Sequence, residues 1–569
     1  MKQIRKTLIA LVAAAGLLTG CQKVDDKFEG MMDNPNSPNP AAADADLYMS
    51  RVQLSFAGFF NTASSFGMEV TRQIVMYGPT YSNAYVPESF DGIWSNAYTQ
   101  INKHANALIP IATSQKKFVN VGMAKIMKAY TMMTMVDMFG NVPYSEANLG
   151  DGNTNPKVDA GKDVYAAAIT LLDEAIAVLT PVPGSYPGVQ DLYYGASNAT
   201  GKARWITLAK TLKLRAYMTT RLVDNTASAK IAALLTENDL IDTPAEDFEF
   251  KYSTKQSAPN SRHPRYNSNY TSTGSAGDYM GTHFMWALAR DPLKGSFTNN
   301  PATAQGDPRA RYYIYRQRIN YADVNVNSAS CAYAPKPGHY TADMPYCLIG
   351  SGFWGRDHGD GSGIPPDGPT RSTVGIYPFG GDFDRNQGAS VGLNRGGQGA
   401  GIQPIWSSFF TDFLKAEAKL ALGLGASAAD ASVANGIRGS FTKVIGFAAS
   451  IGAATAIDPA FVPTQVQLDA YVAKVMGMYA AATTDAERMD VIMKEYYLAL
   501  WGNGVDSYNN YRRTGKPGNF QYTILASPGS FIRSHFYPSV HVNLNQNGTQ
   551  KPGVAVQVYW DNNPAGFIK

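Results

Sequence analysis

Cysteine and histidine are scarce, with three and seven copies in 569 residues. No histidine falls in an HExxH, so the usual zinc-peptidase motif is absent. Charge is also thin at 17% of residues, and nearly balanced at a formal +4. Lysine and arginine nowhere form a dense cluster. Such a chain cannot neutralise a run of phosphates, which excludes nucleic acid as a partner. Apolar runs are short, and no stretch reaches the ~20 residues that span a bilayer. Catalytic signatures are missing as well. Gly350-Ser351-Gly352-Phe353-Trp354-Gly355 formally fits GxGxxG, but Arg356-Asp357-His358-Gly359 follows it where a helix is needed. Gly388-Ala389-Ser390-Val391-Gly392 formally fits a hydrolase elbow, yet no apolar strand precedes it and no helix follows. No spacing of carboxylates singles out a glycosidase pair.

What is present begins at the N-terminus. Lys2, Arg5 and Lys6 precede the apolar stretch Thr7 to Leu18, which has the length of a signal h-region. It ends in Leu18-Thr19-Gly20-Cys21, an apolar residue and two small ones before a cysteine. This lipobox pattern marks residues 1–20 as a lipoprotein signal peptide and Cys21 as the acylated first residue. The alternative is an ordinary secretory peptide that happens to contain a cysteine. Acyl chains contribute ~0.8 kcal/mol per buried methylene, and two or more anchor stably. Cleavage removes Lys2, Arg5 and Lys6, so the remaining side chains lie close to neutrality. Residues 21–45 read as a lipidated tether, because the run Asp33 to Pro40 is polar, turn-rich and too full of proline for a helix. In an oxidising compartment, Cys331 and Cys347 read as a disulfide closing a loop; two separate thiols are the alternative.

Beyond the tether the apolar content of 44% is ample for a core. Residues 46–245 carry helical periodicity. Helices are predicted over 119–138, over Asp163 to Leu179 and over about 203–223. Pro181 and Pro183 stop the second of these. Paired helices with Tyr, Ala and Leu at their contacts suggest a tetratricopeptide-like solenoid, although no clean repeat of 34 residues is visible. Residues 246–405 change character to Gly, Pro, Asn, Ser and aromatics, which predicts an ordered loop-rich face. Helices return over 406–502, with candidates at Trp406–Gly423, Ala428–Phe447, Thr464–Tyr479 and Asp485–Trp501. Residues 503–569 read as loops and short strands, ending in Val554 to Tyr559.

Four segments in order resemble the SusD/RagB family of nutrient-binding outer-membrane lipoproteins, in its SusD-like branch. Asp137-Met138-Phe139-Gly140-Asn141-Val142-Pro143-Tyr144-Ser145-Glu146-Ala147 is similar to the family's D-x-F-G-[ND]-V-P-Y-x-E-A. Asp163-Val164-Tyr165 through Ala175 resembles the next helix. Phe413 to Ala418 resembles the helix bearing E-A. Tyr511-Arg512-Arg513-Thr514-Gly515-Lys516-Pro517 is similar to a late Y-x-R-R-T-G-x-P. The acidic Asp25-Asp26 resembles the surface-export signal of Bacteroidetes lipoproteins. The resemblance implies a mostly α fold over 46–569, with a tetratricopeptide-like scaffold topped by irregular ligand-binding loops. It also implies an outer-membrane location facing the cell exterior and a SusC-like TonB-dependent barrel as partner. The expected cargo is an oligosaccharide, or an oligopeptide in some members. The motifs themselves read as scaffold: Phe139-Gly140 with Pro143 as a helix end and turn, Arg512 and Arg513 as forks for buried carboxylates or carbonyls.

Sugar binding needs flat aromatic faces beside amides or carboxylates. The loop region offers Trp286, Tyr333, Tyr340, Phe353, Trp354 and Tyr377, with Asn267, Asn269, Asp278 and Arg356 as polar candidates. Tyr81 and Trp94 join them, since early loops can reach the same face. Packing beneath the loops is the alternative for each aromatic. Asp357, Asp360 and Asp367 lie among glycines, an oxygen-rich loop that suits bound calcium or, equally, a network of capped turns. No other cofactor and no catalysis is expected. Rival readings are a surface hydrolase, which needs a convergent catalytic pair, and a structural tetratricopeptide adaptor, which lacks a concave aromatic site.

Overall fold

The computed structural model describes residues 44–569, apart from 184–189, 196–198, 272–276, 290–305, 319–334, 348, 350–351, 362–370, 381–387, 389 and 453–456. The side chains of 426–430 are likewise not described. Cys21 and the tether therefore lie outside the described residues.

The first half is a stack of paired helices: α1 (Ala45–Val70), α2 (Lys103–Ser114), α3 (Phe118–Phe139), α4 (Gly161–Leu179), α5 (Ala199–Thr220) and α6 (Ala227–Glu237). Asp44 caps α1 by accepting from the amide of Asp46. α3 is buried nearly all round, and its sequence is correspondingly rich in Met, Ala and Val with few charges. The helices of the second half are α8 (Ser408–Ala421), α9 (Ala426–Ser450), α10 (Gln465–Ala481), α11 (Asp485–Ala499) and α12 (Gly504–Thr514), with the short α7 (Thr282–Ala289) inside the loop region. Capping boxes at Thr464/Gln467 and Thr484/Glu487 start α10 and α11. No described helix is long and apolar enough to cross a membrane.

Helix α12 replaces the loop expected after residue 503. Its sequence, GVDSYNNYRRT, shows no apolar stripe, yet ten of its residues are buried. Most of its buried polar groups are paired inside. The expected strand over Val554–Tyr559 does not form; Val554 and Val558 are buried while Ala555, Val556 and Gln557 face outward.

Helices α1 and α12 cross at Gly67 and Gly504, where a Cβ on either residue would fall inside the other's backbone. Gly67→Ala is expected to cost about 3 kcal/mol or more, since neither backbone can yield. A urea midpoint unchanged from wild type would show that the crossing relaxes freely.

The loop region is closed at its ends by one ribbon. Strand β1 (Phe248–Tyr252) pairs antiparallel with β4 (Gly401–Trp406). A second ribbon inside it pairs β2 (Ile314–Arg316) with β3 (Ser372–Val374). Two large apolar cores result. One holds the helical scaffold, including Tyr130, Trp205, Phe413 and Trp560. The other lies under the loop face and includes Phe284, Tyr313, Phe353, Tyr377, Trp501 and Phe531. Helix α12 joins them, with Val505 in the first and Tyr508 and Tyr511 in the second.

Polar networks tie the four motif segments together. Asp137 accepts from Tyr165, from Asn509 at 2.7 Å, from the Trp560 indole at 2.9 Å and from Arg215 at 3.2 Å. Arg215 also pairs with Asp506 at 2.6 Å. Glu417 receives a fork from Arg513 at 2.8 and 2.6 Å, and Arg221 at 3.0 Å. Burial pushes the Glu417 carboxyl up, but the Arg513 and Arg221 guanidiniums outweigh it and hold the group below the usual carboxylate range. Arg512 donates to the Arg533 carbonyl at 2.6 Å and to Asn509 at 2.6 Å. The motifs thus serve the scaffold.

A cleft on the loop face

The centre of the loop face is the segment 352–360, stitched to its neighbours by backbone hydrogen bonds. Arg356 N–H donates to Met280 O at 3.1 Å, and Thr282 N–H donates to Arg356 O at 2.9 Å. Gly359 N–H reaches Met76 O at 3.1 Å, Ser372 N–H reaches Trp354 O at 2.7 Å, and Ile524 N–H reaches His358 O at 2.8 Å. Four stretches remote in sequence therefore meet on one strip of backbone. The approach needs glycine: a Cβ on Gly355 would strike the Met280 carbonyl.

Beside this strip lies a cleft of about 630 Å³, within the range of small-ligand sites. Its walls include Tyr81, His339, most of the stretch Tyr522 to Phe531, Arg533, Ala555, Gln557, Ile568 and Lys569. His339 and Tyr522 stand nearly parallel with ring centroids 6.3 Å apart. The His339 ring bonds to Thr523 O at 2.9 Å, and Tyr340 donates its hydroxyl to Tyr522 O at 3.0 Å. Leu525, 41% exposed, sits at the mouth.

Arg72 underlies the cleft. It is 1% exposed and adopts φ +65°, a strained backbone for a residue with a Cβ. Its guanidinium donates to Val70 O at 2.8 Å, Gln521 O at 3.1 Å, the Tyr81 hydroxyl at 3.0 Å and Lys569 O at 2.6 Å. The Phe520 and Phe531 rings lie 5.0 and 5.7 Å from it.

A second aromatic and cationic cluster lies on the same strip. Arg356 stacks over Tyr279 at 4.2 Å and reaches Tyr77 at 5.6 Å, while Arg371 also stacks over Tyr279 at 4.2 Å. Tyr77 is 42% exposed. Burial of the remainder, outweighing the nearby Arg356, pushes its hydroxyl up to about 12.

The candidates read from sequence fall in different places. Tyr81 lines the cleft, and Tyr340 braces its wall. Arg356 and Asp278 come together around Tyr77 and Tyr279, with Asp278 held by Arg265 at 3.2 Å and by Asn269 at 2.9 Å. Asn267 accepts from Asn260 at 3.2 Å. Trp286 is half-buried on α7 beside His283. Phe353, Trp354 and Tyr377 are at most 3% exposed and pack beneath the loops. Trp94 packs in the scaffold core against Tyr98, Phe139 and His541. For these four, burial rather than an open ring face is what the structure supplies. Tyr333, Cys331 and Asp367 lie outside the described residues. Cys347 is disulfide-bonded.

Asp357 sits in a buried hydrogen-bonded setting. Its carboxylate accepts from the Cys347 amide at 3.0 Å and from the Gln521 side chain, so N–H donors occupy its oxygens. Asp360 is partly exposed nearby. No group of three or more His, Cys, Asp or Glu among the described residues is placed to hold a metal ion.

Sequence reasoning passed over Tyr77, His339, Tyr522, Phe531 and Lys569. The segment from Phe520 to Phe536 carries its aromatics around the turn-forming Ser527-Pro528-Gly529-Ser530, a short version of the pattern that marked the central loops.

Two family models match the chain. One, described as starch-binding and associating with the outer membrane, matches residues 40–334. The other, described as SusD and RagB outer-membrane lipoprotein, matches residues 407–550. A search of curated proteins gave no match. Among solved structures, a SusD homolog from Bacteroides fragilis is similar with TM-score 0.64 and 18% identity, over 91% of this chain and 99% of that one. A chitin-binding protein is similar with TM-score 0.60 and 20% identity, over 92% and 100%. A chitin-binding SusD homolog from Flavobacterium johnsoniae follows at TM-score 0.57 and 17%, over 90% and 99%. At these identities the likeness is one of fold.

Proposed function

The chain belongs to the SusD-like family of outer-membrane lipoproteins, and on that premise we propose that it captures glycans at the cell surface in the loop-face cleft. The observation that carries this reading is the cleft itself: about 630 Å³, walled by Tyr81, Tyr522, Phe531 and His339, on the irregular face of a helical scaffold. Aromatic rings match the C–H faces of sugars, and hydroxyls at their rims can bond to sugar hydroxyls. Two of the similar structures are of chitin-binding proteins, which supports a saccharide as cargo. The protein acts by binding and not by catalysis. It is anchored through acylated Cys21, faces outward, and hands its cargo to a SusC-like TonB-dependent barrel.

Calorimetric titration of the full chain in detergent against oligosaccharides and a peptide digest tests the reading. An oligosaccharide is expected to bind, and Tyr522→Ala to weaken it about tenfold or more, as loss of a central aromatic anchor does. Binding of peptides alone would remove the glycan reading and leave the fold and family standing. The transporter partnership has its own test. A β-barrel should co-purify with the chain from mildly solubilised outer membranes, and its absence would count against delivery to SusC.

A further inference from the structure

Among the described residues lining the cleft, the charged side chains, Arg533 and Lys569, are of one sign. Tyr81, 2% exposed, lines it and uses its hydroxyl oxygen to accept from buried Arg72. A phenol has one proton to give, and none of the hydrogen bonds described gives that proton an acceptor. Burial, with Arg72 opposing it, pushes this hydroxyl up to about 12, so it keeps its proton. Tyr522 repeats the pattern at the rim, where its hydroxyl accepts from Lys569 Nζ at 3.2 Å. The Lys569 ammonium lies 5.2 Å from the centre of the same ring. Each phenol thus has a cation behind it, which strengthens the proton it can donate.

Among the described residues lining the cleft there is no aspartate or glutamate. Among described residues, the Arg72 guanidinium is held by carbonyls, a hydroxyl and rings rather than by a side-chain carboxylate. Arg533 also lines the cleft but is matched by Asp561 at 2.6 Å. Asp357, behind the wall, has its carboxyl raised to about 7 by burial.

We propose that the cleft takes an anionic saccharide, whose carboxylate or sulfate accepts from the hydroxyls of Tyr81 and Tyr522 and from the Lys569 ammonium. This rests on the glycan reading and adds the charge of the ligand to it. A neutral sugar fills the same space but gives the Lys569 ammonium no anion to pair with. An acidic group satisfies them with charge-assisted bonds, which are about twice as strong as neutral ones.

The experiment titrates the full chain in detergent with an oligogalacturonate, a sulfated galacto-oligosaccharide, chitotetraose and a peptide digest, at low and at high salt. One of the two acidic oligomers is expected to bind at least about tenfold more tightly than chitotetraose, and which of them does identifies carboxylate or sulfate. Raising the salt should weaken that binding and leave the neutral oligomer unaffected. Lys569→Met, at an exposed position, should remove most of the preference, and Tyr81→Phe, which keeps the ring, should lower affinity for the acidic oligomer. Chitotetraose binding as tightly as either acid, indifferent to salt and to Lys569→Met, would overturn the charge assignment while leaving glycan capture intact. Peptide binding alone would overturn both.

Discussion

Glu417→Ala is expected to destabilise the protein by about 3–5 kcal/mol, read as a lowered urea midpoint. Glu417 is fully buried and is the shared counter-ion of Arg513 and Arg221. Removing it leaves two guanidiniums in a low-dielectric interior with their fork unfilled. The loss comes from that uncompensated charge rather than from the strength of the pair, because desolvation consumes most of the attraction between buried ions. Glu417→Met combined with Arg513→Met should therefore recover part of the loss, by removing one charge with its partner. If the single variant loses less than about 1 kcal/mol, water reaches the site and the network does not join α8 to α12 as described. Because the Glu417 carboxyl is held low, its contribution is complete above the ordinary carboxylate pKa and disappears as pH falls through the lowered value.

The second large effect has the opposite sign in pH. Burial raises the Asp357 carboxyl from 3.8 to about 7, with Asp360 adding to the rise and the Gln521 and Cys347 bonds opposing it. A carboxyl whose folded pKa is raised is most favourable below its unfolded pKa. That stability is lost as pH climbs from about 4 through about 7. At ~1.4 kcal/mol per unit, the full swing approaches about 4 kcal/mol. Arg72, Tyr340, Tyr346 and Asp360 are charged or titratable groups around the wall that Asp357 braces. Asp357→Asn should flatten the decline in stability between pH 5 and 8 relative to wild type, measured by denaturant unfolding at each pH. Parallel curves for the two proteins would show that Asp357 stays ionised throughout.

Helices whose burial is apolar were legible in the sequence. The spans read as 119–138 and Asp163–Leu179 are Phe118–Phe139 and Gly161–Leu179, and Thr464–Tyr479 is Gln465–Ala481. Helix α12 was not legible because Asp506, Asn509, Asn510, Arg512 and Arg513 are buried through hydrogen bonds. Apolar periodicity carries no trace of that. The forks proposed for Arg512 and Arg513 were readable, since their partners follow from guanidinium chemistry. The site was half legible. Composition found the loop face and, of the candidate cleft and its wall, named Tyr81 and Tyr340. It could not separate rings that face the cleft from Phe353, Trp354 and Tyr377, which the loops use as their own core. Nor could it join Tyr81, His339 and Tyr522, which are well separated in the chain and meet through contacts such as His339 to Thr523 O and the Tyr81 amide to Pro528 O.

Glycan capture in this cleft is tested most directly by hydrogen exchange of the full chain, with and without the tightest oligosaccharide from the titration. Protection is expected at 521–533, 555–569 and 336–340, with the scaffold helices unchanged. Protection confined to the helical scaffold, under saturating ligand, would contradict the account.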